Sequence, residues 1–194
     1  MNVQLILASA SPRRLELLNW AGISCEVCPG QVDESLHAGE TPDSHVQRLA
    51  LSKAEDVACQ RPYAWVLAAD TVVALGQKIL GKPRDREDAI DMLKLLSGRI
   101  HQVYSGICLM NRELDQIFLD YVVTDVEFRA LTEQDIENYI DSGEFWDKAG
   151  AYAIQGRGAV LARRIIGSPT NVIGLPLPEV LEWLGKAAIP KPTA

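Results

Sequence analysis

The run Trp65–Leu75 is apolar throughout except for Asp70-Thr71, and it constrains the fold more than any other stretch. It reads as a strongly apolar strand. It is too short to cross a membrane, and no apolar run in the chain reaches the roughly 18 residues a spanning helix needs. An ionised carboxylate inside such a strand is costly unless it is paired or holds a cation. Asp70 therefore has three open readings. It anchors a divalent metal, it orients or deprotonates a water, or backbone N–H groups satisfy it at the strand's end.

Around this strand the apolar spacing alternates between strand and helix periods. Residues 3–8 and 23–28 read as strands. Pro12–Trp20 reads as a helix with Leu15, Leu17 and Leu18 inward and Gly22 as its stop. Thr41-Pro42 opens a long helix to about Gln60, with Thr41 as N-cap and Pro42 at the first helical position. Residues 85–96 form a helix that opens on Asp85. Residues 101–110 and 117–128 pair as a hairpin. Residues 132–141 are helical, 151–154 and 159–166 read as strands, and Leu177–Lys186 is the last helix. Residues 189–194 read as a fraying tail. The expectation is an α/β domain with a mixed sheet and flanking helices.

The 194 residues fit one domain spanning 1–194. A formal net charge of −7 argues against a general nucleic-acid binder, which needs a basic face. Arg157, Arg163 and Arg164 are too few to reverse that balance. Residues 1–8 lack the basic flank of a signal peptide, so a cytoplasmic protein is expected. Cys25 and Cys28 lack the second ligand pair a zinc site needs, and the four cysteines read as buried, reduced thiols.

Four segments carry candidate chemistry. Ser9-Ala10-Ser11-Pro12-Arg13-Arg14 places two arginines in a helix's first turn. The macrodipole disfavours cations there, so an anion on the unpaired N–H groups would explain them. Otherwise they point to solvent or pair with Glu16 or Asp33. Gly81-Lys82-Pro83 offers a loop cation or a solvated lysine. Lys53, on the long helix, and Glu34, in an acidic turn, are weaker candidates by themselves. In Ala149-Gly150-Ala151-Tyr152-Ala153-Ile154-Gln155-Gly156, Gln155 either reads a base edge or lies in a tight β-bend. Together they suggest cations and hydroxyls for phosphates, a carboxylate for metal or water, and an amide for a base.

These segments, with Val32-Asp33-Glu34, Arg48-Leu49-Ala50, Lys53-Ala54, Leu96-Ser97-Gly98, His101-Gln102-Val103 and Gly174-Leu175-Pro176-Leu177, occur in an order that resembles the Maf family of nucleoside triphosphate pyrophosphatases. The resemblance implies an α/β fold like the inosine triphosphate pyrophosphatases, with an elongated mixed sheet and two lobes around a central cleft. It implies hydrolysis of a nucleoside triphosphate to monophosphate and pyrophosphate, at the α–β phosphoanhydride bond, with Mg or Mn as divalent metal. Arg13, Thr71 and Gln155 match the branch acting on dTTP and UTP, with modified pyrimidine nucleotides as further substrates. By position, Asp70 resembles the catalytic base. Ser9, Arg14, Lys53 and Lys82 resemble phosphate or transition-state contacts, and Glu34 shares metal or water with Asp70. Ser105, Leu161 and Pro169 depart from the family pattern, which has threonine at the first and commonly aromatic residues at the other two. A homodimer is implied, without nucleic acid or membrane as partner. A non-catalytic nucleotide-binding regulator of cell division is the alternative.

Overall fold

The computed structural model describes residues 4–189. The tail expected at 189–194 lies outside the described residues except for Ile189. Seven strands and six helices follow one another along the described chain. In chain order they are β1 (Leu5–Leu7), α1 (Pro12–Trp20), β2 (Glu26–Val27), α2 (Pro42–Gln60), β3 (Trp65–Leu75), β4 (Lys78–Leu80), α3 (Arg86–Leu96), β5 (Ile100–Asn111), β6 (Gln116–Phe128), α4 (Glu133–Ile140), β7 (Ala162–Ile166), α5 (Pro169–Ile173) and α6 (Leu177–Lys186). The strands form one sheet in the order β2-β1-β3-β5-β6-β7, with β4 against β3. β1 runs parallel to β2 and β3, while β4 and β7 run antiparallel to β3 and β6. The mixed α/β sheet expected from the alternating pattern is present. No helix among the described residues is long and apolar enough to cross a membrane.

The chain divides into two compact units. The first holds the chain up to Asp70, Ser105–Val122 and the part from Gly174 on; the second holds Thr71–Tyr104 and Val123–Ile173. In the first unit, alternation along β3 puts Val66 and Ala68 on one face, against Ala50, Ala54, Val57 and Ala58 of α2. Asp70 continues that face. The small α2 residues let the helix lie close to the sheet. Gly106 of β5 marks the tightest approach, since a Cβ there would stand 2.2 Å from the Val46 carbonyl oxygen. The core of the second unit joins Leu93 and Leu96 of α3, Ile136 and Ile140 of α4, Val126 and Phe128 of β6, and Tyr152.

Several local expectations change. The strand expected at 23–28 shrinks to Glu26–Val27, so Cys25 and Cys28 flank the strand and lie outside it. Both are half-buried and Cys59 is exposed; of the four free thiols only Cys108 is buried. No strand forms at 151–154. Ala149–Ala151 and Gly156–Val160 are 3-10 turns, and β7 begins only at Ala162. The cause is local: Gly150, Ala151 and Gly156 all adopt positive φ, which an extended strand cannot contain. β4 and α5 are additional elements, and Leu15 is half-buried rather than inward.

Candidate active site

Lys53 lies on the inward stripe of α2, among Leu49, Ala50, Ala54 and Val57. A lysine there is buried unless its chain escapes, and it does not escape. Its ammonium donates to Asp70 Oδ1 at 2.7 Å. The same Nζ lies 2.6 Å from Glu34 Oε1. The Lys53 and Asp70 side chains are 9% and 11% exposed, whereas Glu34 is 52% exposed. A buried carboxylate and a buried ammonium thus neutralise each other, and a second carboxylate approaches from the solvent side. The reading of Asp70 as satisfied only by backbone N–H groups is corrected.

Glu34 reaches Lys53 because residues 28–40 run over α2. Gly30 makes this approach feasible: a Cβ there would be 2.8 Å from the Lys53 carbonyl oxygen and 3.1 Å from its Cα. The Gln31 N–H donates to Asp56 Oδ2 of the same helix at 2.9 Å. Sequence reasoning missed Gly30, because nothing in its neighbours marks a close backbone approach.

The second group of residues sits at the start of α1. Ser11 stands at the N-cap with extended backbone, but its side chain makes no cap hydrogen bond. Ser9 Oγ instead accepts from the Ser11 N–H at 3.2 Å and from Arg14 Nη1 at 2.9 Å. Arg14 Nε donates to the Gly174 carbonyl at 2.8 Å, fixing the guanidinium from both sides. Arg14 is buried, which corrects the solvent-facing alternative for this residue. Burial pulls its guanidinium below the usual range, and the Asp70 charge opposes that shift. Arg13 is half-buried in the same turn.

Ser9, Arg14, Glu34, Lys53 and Asp70 therefore all belong to the first unit. Thr71, Lys82 and Gln155 belong to the second. Thr71 is half-buried next to Asp70 on β3, and strand alternation turns it to the other face. Lys82 is exposed in the loop between β4 and α3, beside the buried Pro83. Gln155 is half-buried and precedes the 3-10 turn Gly156–Val160, so the β-bend reading gives way to a helical turn. Leu161 is 1% exposed in the second core and Pro169 opens α5, so both departures from the family pattern have structural places.

No group of three or more His, Cys, Asp or Glu side chains gathers as a metal site among the described residues. Magnesium does not require one, because it takes one or two carboxylates and completes its shell with phosphate and water. Glu34 and Asp70 present oxygens to one shared cation, the Lys53 ammonium, and this donor set fits a hard divalent ion.

Residues 4–187 match the family described as Maf-like protein. The chain belongs to the Maf family. A dTTP/UTP pyrophosphatase of Myxococcus xanthus is 52% identical over 188 residues, which cover 97% of this chain and 94% of that protein. The dTTP/UTP pyrophosphatase of Clostridioides difficile is 47% identical, covering 95% of each chain. That of Bacillus pumilus is 44% identical, covering 94% of this chain and 97% of its own. Among solved structures, a HAM1 protein from Coxiella burnetii superposes with a TM-score of 0.53 at 18% identity, covering 95% of this Maf-family chain and 99% of that one. This second likeness is one of fold.

Proposed function

We propose that this chain is a pyrophosphatase that hydrolyses dTTP and UTP to the monophosphate and pyrophosphate. Identity of 47% and 52%, over nearly the full length, to relatives named for that activity supports the substrates. The observation that carries the chemistry is the buried Lys53–Asp70 pair with Glu34 beside it.

In this reading Asp70 takes a proton from water, and the resulting hydroxide oxygen bonds to the α-phosphorus. The bond from that phosphorus to the α–β bridging oxygen breaks, and pyrophosphate leaves with its electrons. Asp70 then releases the proton to solvent. Lys53 holds the Asp70 carboxylate in place and offsets its charge in an apolar setting. Ser9, Arg13 and Arg14 bind phosphate oxygens at the start of α1, where unpaired N–H groups add donors. Lys82 supplies a further cation for the polyphosphate. Arg13, Thr71 and Gln155 select the pyrimidine base, extending to modified pyrimidines. Glu34 and Asp70 would hold a magnesium or manganese ion, which supplies charge neutralisation on the phosphates and lowers the pKa of bound water. The protein acts in the cytoplasm and as a homodimer in this reading.

The test is product analysis. Wild type and Asp70→Asn are incubated with dTTP, UTP, CTP and modified pyrimidine triphosphates, with magnesium, manganese or chelator. Monophosphate, pyrophosphate and orthophosphate are quantified. Pyrophosphate from dTTP and UTP, reduced roughly 10²–10⁴-fold in the variant, supports the reading. Orthophosphate as the main product would make the chain a phosphatase. Binding without turnover under every metal would make it a regulator. Retained preference for dTTP over CTP in Gln155→Ala would remove Gln155 from base selection.

A further inference from the structure

The segment between Gly30 and α2 is held at its far end by a second set of charges, centred on Glu40 and Arg48. Glu40 is 8% exposed at its side chain and accepts four hydrogen bonds or close contacts. Arg48 approaches it with a two-pronged grip, Nε at 2.6 Å from Oε1 and Nη2 at 2.9 Å from Oε2. His45 Nδ1 lies 2.8 Å from Oε2, and the His37 N–H donates to the same oxygen at 3.0 Å. Arg48 Nη2 also donates to the Ser35 carbonyl at 3.0 Å. Ser35 is tied in turn to Asp33, its N–H at 2.9 Å and its hydroxyl at 3.0 Å from the two carboxylate oxygens. Glu34 stands between these two tied residues.

Arg48 and Lys53 are both on α2, so one helix grips the segment on each side of Glu34. Gly30 and Gln31 meet the helix at Lys53 and Asp56, and Ser35 and Glu40 meet it at Arg48. A half-exposed glutamate on a segment without strand or helix would otherwise sample many rotamers, at an entropic cost to any fixed geometry. We infer that Glu40 and Arg48 are positioning residues that clamp the segment 30–40 so that Glu34 is presented to Lys53 and Asp70. The inference rests on the proposed role of Glu34 in the pyrophosphatase site. Lysine cannot replace Arg48 here, because it lacks the planar fork that spans Glu40 and Ser35 together.

The test uses Glu40→Gln and Arg48→Lys in the full chain, each in wild-type and Glu34→Gln backgrounds. In the wild-type background kcat for dTTP should fall about 10–100-fold, the range typical of groups that orient a site residue, while KM moves little. In the Glu34→Gln background the same changes should have no further effect on kcat, because the clamp acts through Glu34. Amide hydrogen exchange over residues 31–37 should speed up in both clamp variants while the exchange of β3 stays unchanged. Equal losses of kcat in both backgrounds, unchanged exchange over 31–37, or full activity of Glu34→Gln each overturn the inference. A wild type that releases no pyrophosphate from dTTP or UTP defeats the proposed activity instead, and the exchange measurement still decides whether the clamp holds the segment.

Discussion

Lys53 and Asp70 solve one another's burial problem: a lysine on the inward stripe of α2 meets an aspartate on the inward face of β3 at 2.7 Å. Removing the Lys53 charge leaves the Asp70 carboxylate buried without its ammonium, whereas Lys53 keeps Glu34 when Asp70 is neutralised. Lys53→Met should therefore lower stability by about 3–5 kcal/mol. The double variant Lys53→Met/Asp70→Asn should cost less than the two single changes added together. Urea unfolding of the four proteins measures this, and strict additivity would show that the pair is not coupled.

Arg14 offers a second test because its fork makes two different bonds, to Ser9 and to the Gly174 carbonyl. Arg14→Lys keeps a charge but not the fork. Stability should fall by about 1.5–3 kcal/mol, the size of a hydrogen bond to a charged group. Burial already depresses the arginine, and a lysine starts from a lower ordinary value. The variant should accordingly lose its cation, and with it kcat/KM, at a lower pH than wild type as pH rises. A pH–rate profile reads this directly.

Gly106 tests the seating of α2. A methyl group at 106 would meet the Val46 carbonyl oxygen at 2.2 Å and the Gln47 nitrogen at 2.8 Å, both backbone atoms that cannot rotate away. Gly106→Ala should cost about 3 kcal/mol, the upper part of the range for overpacking. It should also lower activity by displacing the helix that carries Lys53. Wild-type melting and turnover in Gly106→Ala would show that α2 can shift freely.

His101 governs a pH effect in the second unit. It is fully buried, with Nε2 2.7 Å from the Tyr152 hydroxyl and its ring edge-on to Phe128. Burial pushes its pKa down to about 4. The unfolded chain has the ordinary value of about 6.5. Between these values the unfolded chain binds a proton that the folded protein excludes. Stability is thus fully present above about pH 6.5 and is lost as pH falls towards 4, by on the order of 3 kcal/mol. His101→Gln should flatten this part of the Tm-against-pH curve.

The sequence reading succeeded where one pattern dominates locally. α1, β3 and α6 have the expected bounds, because strong apolar periodicity, with Pro12 opening α1, leaves little alternative. The segment from 149 to 160 misled because its small and apolar residues resemble a strand. Its course is set by local backbone conformation instead, with Gly150, Ala151 and Gly156 at positive φ and Gly158 so close to the Ala153 carbonyl that a Cβ would stand 1.9 Å away. That Asp70 needs a partner was legible from burial cost; which of its three readings holds was not. Lys53 stood on a readable stripe, at helical spacing from Leu49 and Val57, yet carried weight only through family resemblance. Glu40 and Arg48 were opaque as a pair, since their contact depends on an aperiodic segment folding back over the helix.

The chain passes between the two compact units at four peptide bonds, and the first of them joins Asp70, the last residue of one segment, to Thr71, the first of the next. Under the proposed roles, the buried charge pair and the base-selecting threonine are sequence neighbours that answer to different packing environments. Mutations that retune which pyrimidine is accepted can then fall around Gln155, far along the chain from the Lys53–Asp70 neighbourhood, whereas Arg13 and Thr71 adjoin Arg14 and Asp70 in sequence. Substrate choice is then separable from hydrolysis at Gln155, while at Arg13 and Thr71 a change in one touches the other.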